Sequence, residues 1–273
     1  MSIFTVAERP ELIRPALVIC LNGWVNAGSA ATLVADTIGG ETIASGDSDL
    51  LFDYRVTRPT LDFVEGVMTR LVWPDLSLRR FAAAGRDLLL LVGTEPNWNW
   101  RRLGNELSQL AVELGVDQQI SVGAVPWAWP HTRPVPIIAT ASDRAHLPEG
   151  DERPEGLLRV PSAAVSTLEY MIAGTGIPTV GFYARVPQYV GVEYPAAALA
   201  LIRRLEQHLR VSLPVGDLEE QAAAQRTELD EVSASRTDVR TMIEQLEAMV
   251  DAARVVSGEQ LAAEIERFLR GQP

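Results

Sequence analysis

The sequence predicts an α/β protein, in which a mixed, mostly parallel sheet lies between two layers of helices. Apolar runs of strand length alternate with stretches of helical periodicity from residue 16 to residue 209. Several of these runs are apolar at consecutive positions, which is typical of strands buried on both faces of a parallel sheet. Beyond Pro214 only helical spacing is found, so the layered part of the chain ends there.

Predicted strands and predicted helices alternate along the chain. Glycine-containing turns and prolines separate them, as at Gly39-Gly40 after the first helix and at Pro195 where the last long helix begins. We predict strands at residues 16–21, 50–57, 87–93, 119–125, 136–140 and 178–185, a hairpin bent at Pro74 over residues 70–81, and helices at residues 30–38, 100–114, 162–173 and 195–209. Asn26 or Ser29 is expected to cap the first helix.

The end of the chain is predicted to be a helical appendage. Apolar residues recur there at spacings of three and four, and Arg236 interrupts them. A break at Ser257-Gly258 precedes a last predicted helix, residues 259–270. We therefore expect two units: an α/β/α core over residues 1–214 and an appendage over residues 215–273.

Composition excludes several classes of function. The net charge is −12, which argues against a nucleic-acid partner, because phosphate contacts need clustered cations. All 24 basic residues are arginine, so a P-loop lysine, a Schiff base and a catalytic lysine are excluded. The single cysteine, Cys20, lies in an apolar run and is expected to be a buried thiol.

No cofactor, metal or membrane partner is expected. The three histidines are isolated and do not show metal-ligand spacing. The chain contains no apolar run near the ~20 residues of a membrane span and no signal-peptide pattern at its start. We therefore expect a soluble, cytoplasmic protein.

Residues 125–136 form the most distinctive stretch of the sequence. Four prolines and two tryptophans there predict a stiff, extended loop that is neither helix nor central strand. The loop follows a predicted strand, and ligand sites gather at the carboxyl edge of parallel sheets. His131 and Arg133 suit an anion. Alternatively, Arg133 ties the loop down through backbone carbonyls and His131 packs between the tryptophans.

Other candidates lie at the same predicted edge. Glu95 could serve as an acid or base, although pairing with Arg133 or Arg101 is the stronger interpretation. Asp53 and Arg55 are predicted on one strand face, as an ion pair or as a ligand clamp. Five of the six tryptophans fall in strand-end loops, where they would line a pocket or a subunit interface.

A series of motifs resembles the proteasome assembly chaperone 2 family in its actinobacterial form, over about residues 15–252. The motifs are Gly23-Trp-Val-Asn-Ala-Gly28, Asp53-Tyr-Arg55 with Arg58-Pro59, Gly93-Thr-Glu-Pro96 with Trp100, Pro130-His-Thr-Arg-Pro134, Leu168-Glu169 and Val186-Pro-Gln-Tyr189. The resemblance implies an α/β/α fold of the nucleoside phosphorylase type and homo-oligomers, with trimers among bacterial members. Asn26 departs from the Asp usual in the family.

Two classes of function follow from this resemblance. Eukaryotic members assemble proteasome rings, which implies that this chain is a binding or assembly protein without catalytic residues. The implied partners are further copies of the same chain and either proteasome subunits or another protein. The alternative is a phosphorylase- or hydrolase-like enzyme, or a binder of a nucleotide or sugar phosphate. Either reading uses the same candidate residues: Trp24, Asn26, Arg55, Glu95, Trp100, Trp129, His131, Arg133 and Tyr189. Because no nucleophile and base are matched, binding and assembly is the preferred hypothesis.

Overall fold

The computed structural model describes residues 2–7 and 9–252. The helices and strands, in chain order, are β1 (Phe4–Val6), β2 (Ala16–Asn22), α1 (Ala30–Ile38), β3 (Glu41–Gly46), α2 (Ser48–Leu51), β4 (Thr60–Val64), β5 (Val67–Val72), β6 (Leu76–Ala83), β7 (Arg86–Thr94), α3 (Trp100–Glu113), β8 (Gln118–Trp127), β9 (Ile137–Ala141), α4 (Ala164–Ala173), β10 (Thr179–Pro187), α5 (Pro195–Leu209) and α6 (Leu218–Ser235). Residues 237–252 are also helical, and we call them the terminal helical segment.

Eight strands form one mixed sheet in the order β1-β3-β6-β7-β2-β8-β10-β9. The four central strands, β7, β2, β8 and β10, are parallel, and antiparallel strands extend the sheet on both sides. The carboxyl ends of the parallel strands therefore meet at one edge, as the sequence predicted for its aromatic loops.

Helices cover both faces of this sheet. On one face α1 and α5 pack against apolar residues such as Ile120 of β8 and Phe182 of β10. On the other, α3 and α4 pack against residues such as Ile19 of β2 and Leu91 of β7. The three-layer α/β/α architecture with helices after it confirms the predicted fold class.

Most predicted elements are present with small shifts at their ends. The helices α1 and α5 have the predicted bounds, and α3 and α4 differ from prediction by one or two residues. β8 continues to Trp127, since Val125, Pro126 and Trp127 pair with the end of β10. The prediction that this first part of the proline-rich stretch lies outside a central strand was therefore wrong.

The predicted strand at residues 50–57 was also wrong. Asp47 begins a short helix, α2, by accepting hydrogen bonds from the backbone N–H groups of Asp49 and Leu50. The chain then turns at residues 54–57, where the N–H groups of Val56 and Thr57 donate to the carbonyl of Asp53. Local capping thus overrides the alternating pattern of this stretch.

The predicted hairpin over residues 70–81 does not form either. Its first half belongs to β5, which pairs with β4, and its second half to β6, which joins the large sheet between β3 and β7. We call the separate two-stranded sheet, residues 60–72, the β-arm. Every residue of β4 and β5 is exposed to solvent.

The helices after Pro214 follow the predicted periodicity in part, since Val232 of the predicted apolar stripe is 47% exposed. Leu218 is buried with the α1 and α5 layer, and Ile243, Leu246 and Val250 of the terminal helical segment are buried as well. α6 ends at Ser235, so Arg236 interrupts the helical stretch as expected. The predicted break at Ser257-Gly258 and the predicted helix 259–270 lie outside the described residues.

Candidate functional site

Glu95 joins two neighbouring elements at the carboxyl edge of the sheet. Its Oε2 accepts a hydrogen bond from the Trp24 backbone N–H at 2.7 Å, and its Oε1 accepts one from the Ala164 N–H at 2.6 Å. The carboxylate thus fixes the turn after β2 and the first turn of α4, where a negative charge is favoured. The predicted pairing of Glu95 with Arg101 or Arg133 was wrong. Gly23 is required here, because a Cβ would lie 2.2 Å from Glu95 Oε2.

Asn26 has the capping role that the sequence suggested. Its Oδ1 accepts a hydrogen bond from the Ala31 N–H at 2.8 Å, in the first turn of α1. Its amide nitrogen donates to Thr32 Oγ1 at 2.8 Å and to Asn22 Oδ1 at 3.1 Å. A carboxylate cannot donate these last two bonds, so the amide suits this position better than Asp would.

Arg55 lies away from the other candidates. Its guanidinium forms a two-point contact with Asp53, at 3.0 and 2.8 Å, in the turn after α2. These residues do not share a strand face as predicted, although the ion pair itself is confirmed. The Arg55 hydrogen bonds lower the pKa of Asp53 to about 2, and the Arg55 side chain is largely exposed.

His131 is buried and contacts both Tyr189 and α6. The Tyr189 hydroxyl accepts a bond from the His131 backbone N–H and lies 2.7 Å from its Nδ1, while Nε2 lies 3.1 Å from Asp230 Oδ1. A neutral imidazole satisfies both contacts when Tyr189 donates to Nδ1 and Nε2–H donates to Asp230. Burial lowers the pKa of His131, against the opposing effect of Asp230.

Arg133 binds the terminal helical segment. Its guanidinium lies 3.1 Å from Glu247 and 2.8 Å from Asp251, and the neighbouring Thr132 hydroxyl also donates to Glu247. Arg226 of α6 donates to the His131 carbonyl. Arg133 thus ties the loop down, as one of the two interpretations held, but it does so through carboxylates and not backbone carbonyls, and His131 contacts Tyr189 and Asp230 instead of packing between the tryptophans.

Three of the predicted tryptophans differ in what they contact. The indole N–H of Trp100 donates to the Pro96 carbonyl at 2.6 Å, and that of Trp129 donates to the Pro134 carbonyl at 3.1 Å. Both side chains therefore brace their own loops. Trp24, in contrast, is 75% exposed and stands at the mouth of a large cavity, which Trp127 also lines.

That cavity has a volume of about 1290 Å³ and lies on the α4 side of β8, β9 and β10, under residues 154–161. Its walls are mainly apolar, with Leu157, Leu158 and Val160 on one side and Ile138 and Ile177 on another. Glu95, His131 and Arg133 do not line it. His131 and Arg133 border a separate cleft of about 550 Å³ beside α5 and α6.

The floor of the large cavity is polar. Glu169 of α4 and Tyr183 of β10 both line it, and the Tyr183 hydroxyl donates to Glu169 Oε2 at 3.4 Å. Burial raises the pKa of Glu169, and hydrogen bonds from Ser121 and Tyr183 oppose that rise. The hydroxyl of Thr179, also in the lining, is fully buried without a hydrogen-bond partner among the described residues.

Two glycines make room for the Tyr183 ring. A Cβ at Gly123 would lie 2.8 Å from the ring, and one at Gly181 would lie 2.6 Å from it. The ring therefore lies against the sheet at positions where neither neighbouring residue has a side chain. This places its hydroxyl beside Glu169 rather than in solvent.

Sequence reasoning missed this cavity, although a signal was present. β8 alternates Gln119, Ser121 and Gly123 with three apolar residues, and β10 alternates Thr179, Gly181, Tyr183 and Arg185 with Val180, Phe182 and Ala184. In both strands the apolar residues face α1 and α5. A strand buried on both faces but polar on one of them is typical of a cavity wall.

Residues 2–7 and 9–252 contain neither a candidate metal site nor a candidate membrane span. No group of three or more His, Cys, Asp or Glu residues there is arranged to hold a metal ion. None of the helices in that part of the chain has the length and apolar character needed to cross a membrane.

The fold and the loops at the carboxyl edge of the sheet together define a class of protein. It is a three-layer α/β/α protein whose strand-end loops are fixed by its own carboxylates and by the helices after residue 214. The PAC2 family model matches residues 20–233, so the chain belongs to the PAC2 family.

Solved structures agree with this assignment. The chain is similar to the Mycobacterium tuberculosis protein of unknown function Rv2714, with 33% identity and a TM-score of 0.89, over 95% of this chain and 92% of the other. The M. tuberculosis proteasome-assembly chaperone homologue Rv2125 is 33% identical with a TM-score of 0.74, over 84% and 99% of the two chains. Pyrococcus furiosus PbaB, an archaeal proteasome activator, shares the fold at 16% identity and a TM-score of 0.65, over 84% and 97%. No protein of curated function matches the chain.

Proposed function

We propose that this chain is a binding and assembly protein of the cytoplasm, that it works as a homo-oligomer, and that it performs no catalysis. The observation that carries the proposal is the β-arm. Its apolar surface supplies a contact for a second copy, and the expected assembly is a trimer.

The β-arm exposes more apolar surface than a free hairpin is expected to keep. Seven large apolar side chains along it are between 38% and 67% exposed: Leu61, Phe63, Val64, Val67, Met68, Leu71 and Val72. A two-stranded sheet alone is marginally stable in water, and an apolar patch of this kind marks an interaction site. Covering these side chains with another copy of the chain would stabilise both the β-arm and the assembly.

The contacts at the strand ends support a binding role over catalysis. Glu95 is held by two backbone N–H groups, His131 by Tyr189 and Asp230, and Arg133 by Glu247 and Asp251. Glu95 borders neither of the two cavities described, and His131 and Arg133, which share the 550 Å³ cleft, are both bound by carboxylates of the helices after residue 214. The alternative of a phosphorylase-like enzyme or a small-anion binder would therefore have to use side chains that are already paired within the chain.

Membership of the PAC2 family supports the class of partner. A 33% identical relative from M. tuberculosis is described as a proteasome-assembly chaperone homologue. By analogy, the clients we propose for this chain are proteasome subunits or another protein that assembles into rings.

The oligomer is tested by native mass spectrometry and light scattering of the purified chain. We expect the wild-type chain to form a trimer, and we expect the double variant Phe63→Ser/Val67→Ser to be monomeric, because it loses apolar area on the β-arm. Val112→Ser is a matched control, since Val112 is 56% exposed on α3, outside the β-arm. A monomeric wild type, or a double variant with the wild-type mass, would contradict the proposal.

The client is tested separately. Purified actinobacterial proteasome α and β subunits would be mixed with the chain before ring assembly and again after it. We expect the chain to bind the free subunits and to leave the mature particle. If it binds neither form, proteasome subunits are not the client, and the oligomer experiment still stands on its own.

A further inference from the structure

We propose that the 1290 Å³ cavity under residues 154–161 binds an amphipathic amine, with its apolar body against the leucine-lined walls and its ammonium group on the Glu169 carboxylate. This inference is independent of the proposed assembly function, because no residue of the β-arm lines the cavity. It assigns a ligand class to a site that lies apart from all nine predicted residues except Trp24.

The shape and lining of the cavity fit a small molecule with an apolar body. Binding sites for such ligands usually enclose about 300–1,000 Å³ and combine apolar walls with a few fixed polar groups. The volume of this cavity, about 1290 Å³, is larger than that range. Leu157, Leu158, Val160 and Ile177 supply apolar side chains, the first three of them 60–86% exposed to solvent, and Glu169, Ser166 and Tyr183 supply polar groups.

The polar groups of the lining can accept hydrogen bonds from a cation. An ammonium group has three N–H donors, and the oxygens of Glu169 and Ser166 are of the kind that accept them. The Thr179 hydroxyl is enclosed by protein atoms and does not belong to this set.

Charge favours a cation over an anion at this floor. Glu169 has no ion-pair partner in the described part of the chain, and its burial raises its pKa, which is the behaviour of a carboxylate without a counter-charge. Arg185 also lines the cavity, but its guanidinium does not serve as the counter-charge of Glu169. It binds Glu152 and stacks on the Trp127 ring at 4.6 Å. The Ala164 N–H at the start of α4 is bound by Glu95, so that helix end does not offer an anion site.

The test compares three probes with the same chain length and different head groups. Decylamine, decan-1-ol and decanoate would be titrated below their aggregation concentrations at pH 7.5, with the fluorescence of the lining residues Trp24 and Trp127 as the signal and calorimetry as the second method. We expect decylamine to saturate at one molecule per chain, with an affinity at least tenfold higher than that of either other probe.

Two variants locate the head group. Glu169→Gln is expected to lower decylamine affinity at least tenfold while leaving decan-1-ol unchanged, with the fold checked by circular dichroism. Glu155→Gln is the matched control, because Glu155 is an exposed carboxylate in the same lining, and it should change nothing.

Several results would overturn the proposal. Decanoate or decan-1-ol binding as tightly as decylamine, an unchanged Glu169→Gln variant, or no saturable binding at all would each do so. Decylamine binding that is seen in the double variant Phe63→Ser/Val67→Ser but not in the wild type would overturn the proposal as well. In that case a second copy of the chain would occupy the cavity of the wild-type protein.

Discussion

The Nε2 atom of His131 lies 3.1 Å from Oδ1 of Asp230, so the loop after β8 is joined to a helix 99 residues further along the chain. The imidazole is buried in this position, and burial lowers its pKa. An unfolded His has a pKa near ~6.5. As the pH falls, the unfolded state therefore binds the proton before the folded state does.

This order of protonation predicts an acid-sensitive contact between the loop and α6. Neutral His131 contributes its full share of the folding stability above about pH 6.5. That share is lost as the pH falls from about 6.5 towards the lowered pKa of His131 in the folded state. We expect hydrogen exchange in α6, corrected for intrinsic rates, to show less protection at pH 5.5 than at pH 7.5. His208 on α5 also has a pKa lowered by burial, so the measurement must resolve α6 by itself.

His131→Gln provides the comparison for this prediction. A glutamine does not titrate, so the extra loss of protection in α6 between pH 7.5 and 5.5 should disappear in the variant. If wild type and variant lose protection in α6 equally, the acid sensitivity comes from other groups and the prediction is wrong.

Local signals in the sequence were sufficient for much of the fold. α1 and α5 begin and end as predicted because Gly39 and Pro195 mark their limits through backbone geometry alone. Residues 50–57 were misread because alternation there competes with Asp47, whose side chain begins α2. The β-arm was missed because the pairing of β4 with β5 depends on a turn at Glu65-Gly66 that the strand pattern did not reveal.

The site was predicted only in part. The sequence placed His131, Arg133 and Glu95 at the carboxyl edge, but their partners lie 58 to 118 residues away along the chain. Periodicity carries no information about such distant pairs. The polar face of β8 is indicated in the sequence by Gln119, Ser121 and Gly123, which alternate with the apolar residues that predict the strand.

Arg133→Ala is expected to loosen the terminal helical segment and leave the sheet intact. The guanidinium contacts Glu247 and Asp251, and partly exposed ion pairs of this kind contribute modestly to stability. Hydrogen exchange in residues 237–252 should therefore rise roughly fivefold, because local opening of the segment becomes easier.

Arg203→Ala is the control for Arg133. Arg203 also pairs with two carboxylates, Glu206 and Glu219, but neither lies in the terminal helical segment. Exchange in residues 237–252 should stay at the wild-type level in this variant. Unchanged exchange in Arg133→Ala would show that the buried apolar residues of the segment hold it without the ion pairs.

Glu95→Ala is expected to destabilise the whole fold. It removes the acceptor of the Trp24 and Ala164 N–H groups at once, and the loss of a cap and of a partly buried acceptor costs about 2 kcal/mol together. Glu95→Gln retains one acceptor oxygen and should lose less. Urea unfolding gives both values from the shift in midpoint.

Glu113→Ala separates this effect from general loss of charge. Glu113 forms an exposed pair with Arg9 at 3.1 Å, and such a surface change is expected to stay within about 0.5 kcal/mol of wild type. A Glu95→Ala variant as stable as Glu113→Ala would mean that solvent satisfies the two N–H groups as well as the carboxylate does.

Gly181→Ala tests whether glycine is needed for the position of the Tyr183 ring. A Cβ at residue 181 would lie 2.6 Å from Tyr183 Cε2 and 2.5 Å from Thr140 Oγ1, closer than packed atoms approach each other. Overpacking of this kind costs about 1–3 kcal/mol, measured as a lower urea midpoint. Gly191→Ala is the matched control, because a Cβ there meets no atom within 4 Å.

The same substitution in a Tyr183→Ala background identifies the side chain responsible. With the ring removed, Gly181→Ala should cost at least about 0.5 kcal/mol less than it does in the wild type, which is the interaction energy that a double-mutant cycle measures. If Gly181→Ala costs the same in both backgrounds, the clash is with Thr140, and the glycine is not what holds the Tyr183 hydroxyl beside Glu169.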